Sequence, residues 1–230
     1  MRVLLIAFSF LGMIAVGPVH AQNGPVVIEL YTSQGCSACP PADAMLAELA
    51  KRDDVIALAL HVDYWDYIGW EDVFADPAYS ARQHAYANAA RVAAVYTPQM
   101  IINGQDHVVG SRTMQVMDRL QAQQAKGLPL RVTMTRQANR VLIAAPPTES
   151  GDYVVQLVRY TPEQTMVIAR GENAGHEYTY TNTVTSLNVI HRWDGASALG
   201  IDAPAEGTDP VVVIIQKAGH GAIVAAAELR

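Results

Sequence analysis

The sequence predicts an α/β domain followed by an antiparallel, all-β region. Up to residue 127, short apolar runs typical of buried strands alternate with segments whose apolar residues recur at helical spacing, in the order βαβαββα. From residue 128 onward, strand-like runs follow one another and no helical pattern intervenes. The predicted organisation is a leader over residues 1–21, an α/β domain over residues 22–127 and a β-rich domain, expected to be a small sandwich, over residues 128–230.

The first residues have the pattern of a secretory signal peptide. Arg2 precedes an apolar run over residues 3–16, and Val19-His20-Ala21 forms a small-x-small cleavage site. The run is shorter than the roughly 20 residues that a spanning helix needs. We therefore expect an exported protein, periplasmic or secreted, in a compartment where disulfides form. An uncleaved N-terminal anchor is the alternative.

The charge and hydrophobicity of the chain limit the classes of partner that it is expected to bind. The formal net charge is −6 and no basic cluster is present, which argues against a nucleic-acid partner. After the leader, no apolar stretch approaches membrane length, so no membrane span is expected in the mature chain.

The α/β elements follow from local patterns. An apolar, β-branched strand, "PVVIELYT", precedes the cysteine turn, and the helical segment "PADAMLAELAKR" follows it. "VIALALHVD" predicts the second strand and "PAYSARQHAYANAARVAAVY" the second helix. "PQMIINGQDHVVGS" predicts two short strands joined by a hairpin turn at Asn103-Gly104, and "SRTMQVMDRLQAQQA" a third helix.

Six strand-like runs make up the β-rich region. The last two flank Ala218-Gly219-His220-Gly221, which suits a hairpin turn. The runs are "LRVTMTRQ", "RVLIAAP", "DYVVQLVRY", "TYTNTVTSLNVIHRW", "DPVVVIIQK" and "AIVAAAELR".

The chain contains two cysteines, Cys36 and Cys39, in the stretch "YTSQGCSACPPAD". A disulfide between them closes a four-residue loop, which chain entropy credits with roughly 2 kcal/mol, against about 4.7 kcal/mol for a hundred-residue loop. Stability alone therefore explains this placement poorly, and thiol chemistry explains it better.

The spacing suits two-step thiol–disulfide exchange. Pro40 and Pro41 are tolerated only in the first turn of a helix, so the helix is expected to begin beside the cysteines. A helix N-terminus favours the thiolate, which is the reactive form of cysteine. We assign Cys36 as the attacking thiol and Cys39 as the resolving thiol.

These elements resemble the thioredoxin superfamily, and "TPQMIINGQDHVVGS" is similar to the glutaredoxin pattern. More closely, "ELYTSQGCSACPPAD", "HVDYWDYIGW", "RQHAY" and "VYTPQ" resemble DUF1223, an exported bacterial family classed as thioredoxin-like. The resemblance implies that Pro98 is cis, faces the cysteine pair and belongs to the catalytic site, with Thr97 beside it contacting substrate. Gly35 stands where thioredoxin carries a tryptophan. Glu29 is offset by one residue from thioredoxin's buried acid, so it is either a proton acceptor for Cys39 or an edge-facing glutamate.

A loop rich in aromatic and acidic residues, "HVDYWDYIGW", follows the second strand and should emerge at the cysteine edge of the sheet. Asp63, Trp65 and Trp70 are therefore predicted to wall the redox pocket and contact substrate. The alternative is a loop that packs on itself. Arg82, at the start of the second helix, is a candidate ion-pair partner for Asp63.

The predicted function is that of a thiol–disulfide oxidoreductase. Its partners would be protein thiols and disulfides, and it would need no cofactor beyond the redox-active pair. Two alternatives use the same residues: a non-catalytic scaffold with an inert disulfide, or a Cu(I) site formed by Cys36, Cys39 and His61, since soft ligands prefer Cu(I). The direction of electron flow does not follow from the sequence.

Overall fold

The computed structural model describes residues 24–230, and the leader predicted over residues 1–21 lies outside them. The first half of the described chain contains four strands and three α-helices. They are β1 (Val26–Thr32), α1 (Pro40–Leu49), β2 (Val55–His61), α2 (Pro77–Ala89), β3 (Gln99–Ile102), β4 (Asp106–Val109) and α3 (Thr113–Lys126), with a short 3-10 helix at Asp66–Ile68.

The second half contains seven strands, of which two are unusually long. They are β5 (Thr133–Gln137), β6 (Arg140–Ala145), β7 (Tyr153–Val167), β8 (Glu177–Trp193), β9 (Leu199–Pro204), β10 (Val211–Lys217) and β11 (Ile223–Leu229). None of the helices in residues 24–230 combines the length and the apolar character that crossing a membrane requires.

Local signals place most of these elements. Asp76 caps α2 by accepting a hydrogen bond from the backbone N–H of Ala78 at 2.8 Å, and Pro77 follows it at the first helical position. The predicted hairpin turn between β3 and β4 is confirmed, because Asn103 and Gly104 both have positive φ, as this tight turn requires.

Between residues 24 and 230, eleven strands form two sheets. The larger sheet has eight strands in the order β11-β10-β7-β8-β2-β1-β3-β4, and the smaller has three in the order β5-β6-β9. Strand β8 joins the two halves of the chain, because Thr183 pairs in parallel with Ala59 of β2. The larger sheet therefore runs without a break from the first half of the sequence into the second.

The predicted fold class is wrong. The chain does not form a thioredoxin-like α/β domain followed by a separate small sandwich; it forms a mixed eight-stranded sheet, a three-stranded sheet and three α-helices within residues 24–230. The reason lies in β2, whose seven residues are all buried. A buried strand cannot leave one edge of its backbone unpaired, and the long hairpin β7–β8 supplies the missing partner.

Alternating residues of β1 and β2 face opposite sides of the larger sheet. Ile28 and Leu30 pack with α1 and α3 on one side, whereas Val27 and Tyr31 pack on the other side with α2 and the strands of the second half. We call these the α1 face and the α2 face. The turn after β1 and the start of α1 place the cysteines at the edge of the α1 face.

Candidate functional site

The cysteine pair closes the turn between β1 and α1. Cys36 and Cys39 form a disulfide with their Cα atoms 5.4 Å apart, which confirms the predicted pairing. The backbone N–H of Cys39 donates to the carbonyl oxygen of Cys36 at 3.1 Å, and α1 begins at Pro40. The turn thus places the disulfide at the N-terminus of a helix, as predicted.

The helix offers a thiolate fewer donors than the spacing suggested. Pro40 and Pro41 carry no N–H, and the N–H groups of Ala42 and Asp43 both donate to the carbonyl oxygen of Cys39, at 2.8 and 3.1 Å. Stabilisation of a thiolate at this helix end therefore relies on the helix dipole rather than on N–H donors from its first turn.

Trp65 and Trp70 wall the cysteine turn on one side. The indole N–H of Trp70 donates to Gln34 Oε1 at 2.7 Å. A Cβ atom on Gly35 would lie 3.2 Å from the Cβ of Trp65, so Trp65 packs directly on the turn. Its indole N–H donates to Thr97 Oγ1 at 2.7 Å. The structure thus brings three of the predicted substrate-contacting residues together around the turn.

Pro98 has the cis peptide bond that the resemblance implied. The Thr97–Pro98 peptide bond is cis, and the carbonyl oxygen of Pro98 accepts a hydrogen bond from Gly110 at 2.9 Å. A Cβ atom on Gly110 would lie 3.0 Å from the Cβ of Ala42 and 3.3 Å from that of Pro98, so the proline lies against the first turn of α1 with only a glycine between them.

Asp63 and Arg82 do not pair with each other. Asp63 accepts a hydrogen bond from the Ser80 hydroxyl. Arg82 instead forms a buried ion pair with Glu29, with 2.7 Å between Arg82 Nε and Glu29 Oε1. The hydroxyl of Tyr86 also donates to Glu29 Oε2, at 2.6 Å.

Glu29, predicted to be either a proton acceptor for Cys39 or an edge-facing glutamate, lies on the face of the sheet away from α1. Its neighbours Val27 and Tyr31 lie on the α2 face, and so does the Glu29 side chain, whereas α1 carries the cysteines on the other face. Glu29 is fully buried and charge-paired, so it is not an edge-facing glutamate. Burial lowers the pKa of Arg82, but the charge of Glu29 reverses this and raises it overall, so the guanidinium stays charged.

The tip of the β7–β8 hairpin covers the cysteines. Asn173 donates from Nδ2 to the carbonyl oxygens of Gln34 at 2.8 Å and of Cys36 at 3.1 Å, and the Ser37 hydroxyl donates to Glu172 Oε2 at 2.6 Å. Under this cover, Cys36 is 1% exposed and Cys39 is inaccessible. Reaction of Cys36 with a protein partner therefore requires part of its surroundings to move, and the tip, residues 168–176, is hydrogen-bonded directly to the turn.

A buried polar cluster lies on the α1 face beside the cysteine turn. His61 Nδ1 lies 2.7 Å from Asp72 Oδ2, and both side chains are fully buried. The same carboxylate oxygen accepts the backbone N–H of Gln34 at 2.8 Å, which ties the cluster to the turn. Asp43 belongs to the same cluster, since its carboxyl group interacts electrostatically with both His61 and Asp72. Burial raises the pKa of Asp43 to about 6, and the interaction with His61 opposes this increase.

His61 does not stand with the cysteines as a ligand set. Its Nδ1 atom is engaged by Asp72, and within residues 24–230 no three His, Cys, Asp or Glu side chains are grouped so that they could hold a metal ion. The Cu(I) alternative, which needs both cysteines reduced, stays a prediction.

Sequence reasoning missed the residues contributed by the second half of the chain. Asn173 and Glu172 lie about 135 positions after the cysteine turn, and no local pattern marks them as part of it. Asp72 lies two residues beyond the aromatic loop that was singled out, and its closeness to that loop was the available signal. The polar tip "GENAG" between two long strands gave no indication of where it docks.

The fold and site define a mixed α/β protein with a covered Cys-x-x-Cys disulfide at a helix N-terminus. The DUF1223 family model, described as a protein of unknown function, matches residues 27–216, and the chain belongs to this family. Among curated proteins no match was found.

Two solved structures are similar to this chain. One is protein AGR_C_4864 of Agrobacterium tumefaciens, with 34% identity and a TM-score of 0.78, covering 91% of this chain and 96% of that protein. The other, HBP35 of Porphyromonas gingivalis, has 12% identity and a TM-score of 0.64, covering 90% of this chain and 75% of the other; at that identity it shows a likeness of fold alone.

Proposed function

We propose that this protein is an exported thiol–disulfide oxidoreductase that uses Cys36 as the attacking thiol and Cys39 as the resolving thiol. The observation that carries the proposal is the Cys36–Cys39 disulfide immediately before α1, since a four-residue disulfide loop adds little stability and a helix N-terminus favours a thiolate. The export part of the proposal rests on the leader pattern of residues 1–21.

The surroundings of the disulfide support exchange with a protein partner. Trp65, Thr97 and Pro98 line one side of the turn, and Tyr67 stacks on Trp65 with 81% of its surface exposed. Trp65 is partly buried, so Tyr67 supplies the exposed part of an apolar contact surface for a partner. The protein partners would be those carrying accessible thiols or disulfides, and the electrons would pass between them and the Cys36–Cys39 pair.

Mixed-disulfide trapping tests the proposal. C39S removes the resolving thiol, so partner proteins should accumulate as mixed disulfides on Cys36. C36S is the matched control and should trap few, because it removes the attacking thiol. Equal trapping by both variants, or by neither in an export compartment, would contradict the assignment.

A non-catalytic scaffold is the second candidate. The observation that favours it is burial, because Cys36 is 1% exposed under the hairpin tip and an inaccessible disulfide is ordinarily inert. Alkylation of the reduced protein separates the two candidates. An oxidoreductase should show Cys36 modified well before Cys39, with an apparent pKa below the ordinary thiol value of about 8.5. A scaffold should show both thiols modified slowly and at similar rates.

A further inference from the structure

Asp43 lies one helical turn beyond Cys39. Cys39 already has helical backbone angles, φ −81° and ψ −35°, and its carbonyl oxygen accepts the Asp43 backbone N–H at 3.1 Å. Residues four apart on a helix share one face with their Cβ atoms about 5–6 Å apart. The Asp43 side chain is therefore on the same side of α1 as the Cys39 side chain and one turn further along the helix.

The surroundings of Asp43 leave polar atoms without well-formed hydrogen bonds. Within residues 24–230, the buried atoms Asp43 Oδ1, His61 Nε2 and Thr32 Oγ1 make no hydrogen bond of good geometry. The Thr32 hydroxyl is nevertheless close enough to the Asp43 carboxylate to lower its pKa. Thr32 and His61 are neighbours in the β1–β2 register, and the α1 face carries all three side chains. Burial of the Oδ1 atom disfavours the charged form of the Asp43 carboxyl group and so favours its protonated form.

The titratable groups around Asp43 come from three elements. His61 belongs to β2, Asp72 to the loop before α2, and Tyr180 to β8, with 5.1 Å between the ring centroids of Tyr180 and His61. Burial is the largest influence on Asp43 and raises its pKa to about 6; Asp72 adds to the increase, and His61 and Thr32 oppose it. Asp43 is thus a carboxyl group that gains and loses its proton near neutral pH.

We infer that Asp43 exchanges a proton with the Cys39 thiol each time the disulfide opens or closes, a role that rests on the proposed oxidoreductase function. Other acidic groups nearby are engaged elsewhere. Asp72 accepts from Gln34 and contacts His61, and Glu29 is paired with Arg82 on the α2 face. Cys39 is inaccessible, so solvent does not reach its sulfur directly.

The step balances in both directions. When a thiolate of a partner dithiol attacks Cys36 Sγ, the Cys36–Cys39 bond breaks and the electron pair leaves on Cys39 Sγ. That sulfur takes the proton of the Asp43 carboxyl group, which becomes a carboxylate. The second thiolate of the partner then displaces Cys36, so the partner is oxidised and the cysteine pair is reduced.

The reverse reaction uses the same group as a base. Asp43 carboxylate accepts the Cys39 thiol proton, the Cys39 sulfur attacks Cys36 in the mixed disulfide, and the partner thiolate leaves. Protonated Asp43 therefore favours reduction of the pair, and ionised Asp43 favours its reoxidation.

The experiment compares wild-type protein with D43N over pH 5 to 9. Stopped-flow tryptophan fluorescence follows reduction of the oxidised protein by dithiothreitol and reoxidation of the reduced protein by oxidised glutathione. Taking the ratio of wild-type to D43N rates at each pH cancels the ionisation of the small thiol. D53N, a change of an exposed aspartate, is the matched control.

The two ratios should have opposite pH dependence. For reduction, the ratio should be at least about tenfold below pH 6 and approach one above it; for reoxidation, it should be near one below pH 6 and at least about tenfold at pH 7. A merely structural role for Asp43 would shift both ratios in the same direction at every pH. Ratios independent of pH would overturn the inference and leave the proposed function standing.

Two further readouts keep the test decisive. If D43N does not fold, infrared difference spectroscopy on wild-type protein should show a protonated carboxyl band that disappears near pH 6 in the oxidised form, and its absence would overturn the inference. If wild-type protein reacts with dithiothreitol no faster than the unfolded chain, the proposed function itself fails.

Discussion

Asn173 ties the hairpin tip to the cysteine turn, and its substitution gives a sharp kinetic prediction for access to the disulfide. The side chain donates two hydrogen bonds, at 2.8 and 3.1 Å, to the backbone of the cysteine turn. A neutral hydrogen bond contributes about 0.5–1.5 kcal/mol net, so N173A should weaken closure of the hairpin tip by roughly 2 kcal/mol. Each 1.4 kcal/mol is a factor of ten, so the population of the open tip should rise about 25-fold.

The assay is the rate at which dithiothreitol reduces the native protein under conditions where the tip opens and closes faster than reduction occurs. N173A should be reduced about 25-fold faster than wild type, because the reagent reaches Cys36 only when the tip is open. E172Q is the control: it removes a charge on an exposed hydrogen bond to Ser37 and should change the rate by less than about threefold. Equal rates for N173A and wild type would refute the covering role of the tip.

Two predictions concern the buried charges. E29Q should lower the free energy of unfolding in chemical denaturation by about 3–5 kcal/mol, because it leaves Arg82 buried without its counter-ion. The double variant E29Q/R82M should lose clearly less than the sum of the two single variants, and additive losses would contradict the pairing. The rate of disulfide exchange should be unaffected in all of these variants. The pKa of Asp43 is about 6 in the folded protein, above its ordinary value of about 3.9. Its contribution to the free energy of unfolding, up to roughly 3 kcal/mol, is therefore present below pH 4 and lost as pH rises through 6. When the unfolding free energies of wild type and D43N are compared between pH 4 and 7, wild type alone should show this loss.

The individual strands, helix starts and turns of the first half could be predicted, because neighbouring residues in the sequence determine them. The apolar run before the cysteine turn forms β1, the two prolines after Cys39 begin α1, and Asn103-Gly104 turns the β3–β4 hairpin, all as expected. The cysteine turn and the tryptophans around it could be located for the same reason, since the loop that carries Trp65 follows a strand parallel to β1.

The assembly could not be predicted, because it depends on which strand edges meet. Both β2 and β8 read as ordinary strands in sequence, and nothing local shows that Thr183 pairs with Ala59, more than 120 positions away. That pairing replaces the expected separate sandwich with one eight-stranded sheet. It also carries the tip of the β7–β8 hairpin to the cysteine turn, which is why Asn173 escaped the sequence analysis.

The charge pairing of Arg82 illustrates the same limit. The sequence indicated Asp63 as the partner of Arg82 and not Glu29, because the true partner depends on which face of the sheet each side chain occupies. Alternation along β1 places Glu29 on the α2 face together with Arg82. Asp63 lies beyond the end of β2 and binds Ser80 instead.

The reduction potential of the Cys36–Cys39 pair tests the central claim most directly. It is measured by equilibrating the protein with glutathione buffers of known ratio, quenching with acid and counting alkylated thiols. A redox-active pair should fall between about −270 and −120 mV, the range of known exchange proteins. A potential below about −300 mV, typical of structural disulfides in secreted proteins, would contradict the oxidoreductase function.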